Sequence, residues 1–93
     1  QMEGRGTSRY ADGNVYEGEY KAGQKEGRGT YRYADGRMEV GFYAAGKDVG
    51  EGVRWSADGQ QAWRLRDGEA VEAIPLGEAQ QVCERLALPI PRR

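Results

Sequence analysis

Residues 10–36, YADGNVYEGEYKAGQKEGRGTYRYADG, begin and end on the same four residues, Tyr-Ala-Asp-Gly, at a step of twenty-three. Laid over itself at that step, EGRGTSRYADGNVYEGEYKAGQK from Glu3 matches EGRGTYRYADGRMEVGFYAAGKD from Glu26, and GEGVRWSADGQQAWRLRDGE follows from Gly50. Gly4, Gly27 and Gly50 align, and so do Gly6, Gly29 and Gly52. Asp12, Asp35 and Asp58 align as well, each followed by a glycine. A period in this range marks stacked supersecondary units, none of which buries its apolar side alone. The third copy decays after its turn, where Arg64 and Glu69 replace Gly41 and Gly46. Gln1, Met2 and Glu3 align with Gln24, Lys25 and Glu26 of the connector between copies, so further repeats are expected upstream in a longer protein.

Each copy reads as a β-hairpin. Ala-Asp-Gly at 11–13, 34–36 and 57–59 supplies the turn, with Asp and Gly both suited to positive φ. The flanking runs, GRGTYRY and RMEVGFY, alternate with period two, are rich in aromatic residues and contain no proline. Connectors such as KAGQKE and AAGKDV reverse the chain into the next hairpin. The expected fold is mainly β: an elongated, twisted antiparallel meander of about six strands over residues 1–69, followed by a capping segment over 70–93.

The stretch DGNVYEGEYKAGQKEGRGTYRYADG resembles the MORN repeat, with Gly-x-Gly before a strand, Asp-Gly at the turn, then Tyr-x-Gly and an aromatic on the return. The resemblance runs from Gln1 to Glu69, with Glu39 and Ala62 standing where the pattern places the tyrosine seen at Tyr16. It implies a non-enzymatic scaffold that binds a partner peptide or helix in a cytoskeletal, ciliary or junctional assembly. It also implies an alternative, tethering to acidic phospholipids at a membrane. A third reading, a regulatory appendage as in some plant lipid kinases, follows from the same resemblance.

Strand alternation sorts the side chains onto two faces. One carries Tyr10, Tyr16, Tyr20, Tyr31, Tyr33 and Tyr43 with glycines on neighbouring strands. Rings laid over glycines cover backbone that would otherwise be wet. With hydroxyls outward, the same stripe would form a groove for a partner. The other face is expected to carry Met38, Val40, Phe42, Val53, Trp55, Trp63 and Leu65, more apolar surface than a monomer leaves exposed. A cover is available. In Glu78–Leu88, Ala79, Val82, Cys83 and Leu86 fall at i, i+3, i+4 and i+7, which predicts a helix over 78–88 that folds back across this face.

Composition excludes other classes. Fourteen Lys and Arg against fifteen Asp and Glu, interspersed, give a net charge of −1 and no field to draw in nucleic acid. The same balance argues against strong attraction to acidic lipid, Arg92 and Arg93 forming the one small basic cluster. The absence of histidine and a single cysteine rule out a zinc site of the usual ligands, and no cofactor is expected. One cysteine also fits a reducing compartment, and the MORN resemblance implies a cytoplasmic setting associated with the cytoskeleton or a membrane. The recurring Asp-Gly pairs are turn chemistry rather than a catalytic dyad, and no activated nucleophile is evident. An open first strand, Gly4–Tyr10, could pair with a second copy as a homodimer.

Overall fold

The computed structural model describes residues 3–91. Among them seven strands form one antiparallel sheet in sequence order: β1 (Gly4–Arg9), β2 (Val15–Lys21), β3 (Gln24–Arg32), β4 (Met38–Ala44), β5 (Lys47–Trp55), β6 (Ala62–Arg66) and β7 (Glu69–Ile74). One helix, α1 (Leu76–Leu86), follows. The molecule measures 38 × 26 × 20 Å.

Two kinds of turn alternate at the two ends of the strands. The short connectors are two-residue turns with positive φ at both central positions: Ala22-Gly23, Ala45-Gly46 and Asp67-Gly68. That is the type I′ geometry whose twist matches a hairpin. At the other end the Ala-Asp-Gly loops put only the glycine at positive φ; the aspartate instead bends its own backbone. Asp12, Asp35 and Asp58 each accept a hydrogen bond from the amide two residues on, at 3.0–3.1 Å. Successive loops touch, since the Ala34 amide donates to Asn14 Oδ1 at 2.8 Å.

The seventh strand exceeds the six expected. Its signal was present in Arg66-Asp67-Gly68-Glu69, an Asp-Gly pair between short alternating runs, masked because Gly68 falls one residue short of the twenty-three-residue step from Gly46.

The helix begins two residues before the expected start. Pro75 holds extended φ and ψ at the N-cap, and Gly77 sits inside the first turn rather than ahead of it. At the far end Ala87 takes the left-handed conformation, and the Leu88 amide donates to the Cys83 carbonyl at 2.8 Å. This reversal drives Leu88 into the core.

Met38, Val40, Val53 and Trp55 form one buried cluster with Ala62, Ile74, Ala79, Val82, Cys83 and Leu88, and Phe42 packs against it. The helix therefore lies on β5 and β6 and covers one face of the sheet. Arg85 of α1 reaches Glu51 of β5 at 2.8 Å, adding a polar clasp at its edge.

Trp63 and Leu65 are not on that face. In the β5–β6 register Trp63 stands opposite Arg54 and Leu65 opposite Gly52, whereas Val53 and Trp55, whose side chains point to the helix, stand opposite Arg64 and Ala62. The cause is one residue of loop. In the first two hairpins the loop-closing bond joins residues four apart, Tyr10 to Asn14 and Tyr33 to Arg37; in the third it joins Ser56 to Gln61, five apart. One added residue inverts the facing of the side chains along β6. Trp63, not Ala62, thus occupies the position of Tyr16 and Glu39, and Ala62 takes the core position of Met38.

Glycines are required where strands run closest. A Cβ on Gly18 would lie 2.6 Å from the Arg28 carbonyl oxygen, the Gly29 Cα and the Tyr16 hydroxyl. Two of those are backbone and cannot swing aside. Gly18→Ala is expected to cost about 2 kcal/mol in urea unfolding; an unchanged midpoint would mean that the strands separate freely here.

Candidate functional site

The uncovered face holds the tyrosines, but they do not form a uniform stripe. Tyr16, Tyr20 and Tyr43 are buried and pack together, with Tyr31 against them. Tyr16 is fully buried, its ring against Gly29 and its hydroxyl donating to the Glu19 carbonyl at 3.0 Å. Tyr16 meets Tyr20 and Tyr43 edge to face, with ring centroids 5.3 and 5.0 Å away. These rings build the face. Tyr10, Tyr31 and Tyr33 remain accessible, Tyr10 the most so.

The hydroxyls of Tyr20, Tyr31 and Tyr33 are tied to neighbouring side chains rather than left free for a partner. Tyr20 bonds to Ser8, Tyr31 accepts from the Asn14 amide at 3.3 Å, and Tyr33 donates to Glu39 Oε1 at 2.8 Å. A phenol edge needs a partner once neighbouring rings exclude water, and polar neighbours on adjacent strands supply it.

Glu39 replaces a ring in the second copy and is nearly buried. It is compensated: Arg54 on β5 donates through Nε and Nη2, both at 2.7 Å, beside the Tyr33 hydroxyl. The Arg37 guanidinium lies 4.4 Å from the Tyr33 ring centroid.

Beside this pair are two shallow cavities. One, of about 460 Å³, is lined by Lys25, Tyr31, Tyr33, Tyr43, Asp48 and Asp67 among others. The other, of about 410 Å³, is lined by Arg37, Arg54, Ala57, Trp63 and Ala70 with two further polar residues. The accessible face therefore extends from Tyr10 across the sheet to Trp63.

At its centre lies a residue that sequence reasoning had placed in a connector. The Lys25 ammonium sits 5.1–5.7 Å from the ring centroids of Tyr10, Tyr16, Tyr31 and Tyr43. Parity offered a partial signal, because Lys25, Gly27, Gly29 and Tyr31 share one side of β3. The convergence of rings from four separate segments was not in that signal.

Burial chiefly holds the phenols in their neutral form. It pushes Tyr16 up to about 12, and Tyr33 likewise, the latter helped by its bond to Glu39. Tyr43 is displaced further in the same direction, with nearby Asp48 contributing. An unfolded tyrosine ionises near pH 10, so the native state holds these protons longer. The stability they contribute is complete below about pH 10 and drains as pH rises through about 12. In an ultraviolet phenolate titration, Tyr16, Tyr33 and Tyr43 are expected to ionise only with alkaline unfolding, as a late cooperative step. Ionisation of these three near pH 10 in a still folded chain would contradict this.

No cluster of three or more His, Cys, Asp or Glu suited to a metal occurs among the described residues. No described helix is long and apolar enough to cross a membrane. Compared with known families, residues 1–15, 16–36 and 40–61 match the MORN repeat. The chain belongs to the MORN repeat family. MORN repeats are generally associated with protein or membrane binding, and the family is a binding module rather than an enzyme family. Among curated proteins none matches the chain.

Proposed function

We propose that this MORN domain is a non-enzymatic protein-binding module whose ring-bearing face takes a peptide or helix of a partner. The observation that carries the reading is the division of the sheet. Its own helix occupies the Met38, Val53 and Trp55 face, while the opposite face offers Tyr10, Tyr31, Tyr33 and Trp63 around two shallow cavities. Accessible aromatics on a rigid sheet give contact area at little entropic cost, which is the character of an interface anchor. The MORN resemblance sets the expectation that the partner belongs to a cytoskeletal, ciliary or junctional assembly.

Membrane tethering is the second reading, and charge separates the two. On this face Glu39 is paired with Arg54 and Asp35 with Arg37, and Lys25 and Lys47 share their cavity with Asp48 and Asp67, so no net basic field gathers anionic lipid. Arg92 and Arg93, the cations expected to serve that role, lie outside the described residues. A photo-crosslinking residue at Tyr31 or Trp63 is expected to capture a defined protein in cells, while the same residue at Gln81 on the outer side of α1 does not. Crosslinks confined to position 81, or co-sedimentation with acidic vesicles in place of protein capture, would reject the module's proposed face.

A further inference from the structure

Resting on that reading of the ring-bearing face, we propose that the protein partner docks as an extended segment on the outer edge of β7, adding an eighth strand, and lays one aromatic side chain in the cavity beside Trp63.

The series of cross-strand pairs shows what the third copy lacks. Tyr16 of β2 stands opposite Tyr31 of β3, and Glu39, at the same position one copy on, stands opposite Arg54 of β5. Trp63 holds that position in the third copy, and opposite it on β7 is Ala73. The first two copies thus set a large side chain against this position from the strand that follows, and the third sets only a methyl group. Ala70, on the same face and opposite Leu65, is small as well, and both alanines are exposed. The space they leave is continuous with the cavity of about 410 Å³ that Trp63, Ala57 and Ala70 line with Arg37 and Arg54. Both guanidiniums are committed, Arg37 to Asp35 and Arg54 to Glu39, so no charge there calls for a counter-ion. A neutral ring suits the space. Trp63 offers it an aromatic surface, and a paired guanidinium still attracts a ring face, as Arg37 does over Tyr33 at 4.4 Å.

The backbone commits the occupant to an extended chain. β7 is the last strand in the sheet order, and α1 packs on β5 and β6, leaving the outer side of β7 open. Residues 69–73 are exposed throughout, and Val71, passed over by the β6 register, is 52% exposed. Such an edge binds an extended segment by main-chain hydrogen bonds, while pockets read its alternate side chains. A second copy of β7 is the poorer occupant. Glu69 and Glu72 lie on one face, opposite Arg66 and Arg64, and two such strands side by side would gather the carboxylates of both copies there.

The test is a nuclear magnetic resonance titration of the intact chain with the peptide acetyl-Thr-Val-Tyr-Val-Thr-amide. Two controls accompany it, one with alanine in place of the tyrosine and one N-methylated at every amide. The expected result is that the β7 amides and the Trp63 indole shift together, with each control binding about tenfold more weakly or worse. Ala73→Tyr, which supplies from the chain itself the large neighbour present in the first two copies, should weaken the parent peptide about tenfold. The peptide comparison is made on the wild type and stands whatever that variant does to the fold. Shifts centred on Tyr10, Tyr31 and Tyr33 with the β7 amides unmoved, or equal affinity for the parent and N-methylated peptides, would overturn strand addition while leaving the partner-binding face in place. Equal affinity for the parent and its alanine version would overturn the ring in the cavity, and no binding of the parent peptide would overturn the edge as a docking site. Concentration-dependent self-association through β7 in the absence of peptide would overturn the assignment to a partner and give the edge to a second copy.

Discussion

Trp55→Ala is expected to lower the unfolding free energy by about 3–4 kcal/mol, whereas Trp63→Ala, eight residues away, should cost about 1 kcal/mol or less. Trp55 is 9% exposed and packed in the cluster beneath α1, so its loss opens a cavity that helix and sheet must both collapse to fill. Trp63 lies on the opposite face, lining a shallow cavity open to solvent, where truncation removes little packing. The chain has two tryptophans, so each variant retains one fluorophore on the face left intact. Cys83 supplies a second readout. It is fully buried, and burial pushes its thiol up to about 11, so a thiol reagent should react slowly with the native protein. Faster labelling in Trp55→Ala but not in Trp63→Ala would place the damage at the helix. Equal destabilisation by both variants, with equal labelling, would mean that the two tryptophans share a face.

The second large effect is electrostatic. Arg54→Ala is expected to cost about 3 kcal/mol, because it leaves the Glu39 carboxylate, 4% exposed, with the Tyr33 hydroxyl but without its cation. The figure sits at the lower end for a broken buried pair because the Arg54 side chain is 23% exposed, and water can partly replace it. The reverse truncation differs. In Glu39→Gln the guanidinium can turn to solvent and the amide keeps an oxygen for Tyr33, so a smaller loss is expected. Combining Glu39→Gln with Arg54→Ala should recover a large part of the stability missing in Arg54→Ala, since no charge is then left buried. Additive losses in the double variant, measured by urea unfolding, would show that the two side chains act independently.

The pair also explains why the ring-bearing face is continuous where its tyrosines are not. Glu39 breaks the aromatic series at the second copy, and the Arg54 it recruits spans toward Trp63 in the third. A salt bridge takes the space a ring fills in the first copy. The face reads as rings, then a paired charge, then a ring again.

Much of this architecture was legible in the chain itself. The twenty-three-residue step, the Ala-Asp-Gly loops, the alternation of Met38, Val40 and Phe42 against Gly41 and Tyr43, and the spacing of Ala79, Val82 and Cys83 come from local geometry: the two-residue period of a strand and the 3.6-residue period of a helix. Those periods act over a few neighbours, so they specify hairpins, faces and a covering helix without any knowledge of the whole. The placement of Trp63 and Leu65, the bonding partners of the Tyr16, Tyr20, Tyr31 and Tyr33 hydroxyls and the caging of Lys25 were settled only in three dimensions. A loop one residue longer reverses facing without altering composition, and a ring finds its partner on a strand whose distance in sequence says nothing of its distance in space. Local periodicity fixes which side a residue takes within one strand; cross-strand register decides what it meets there.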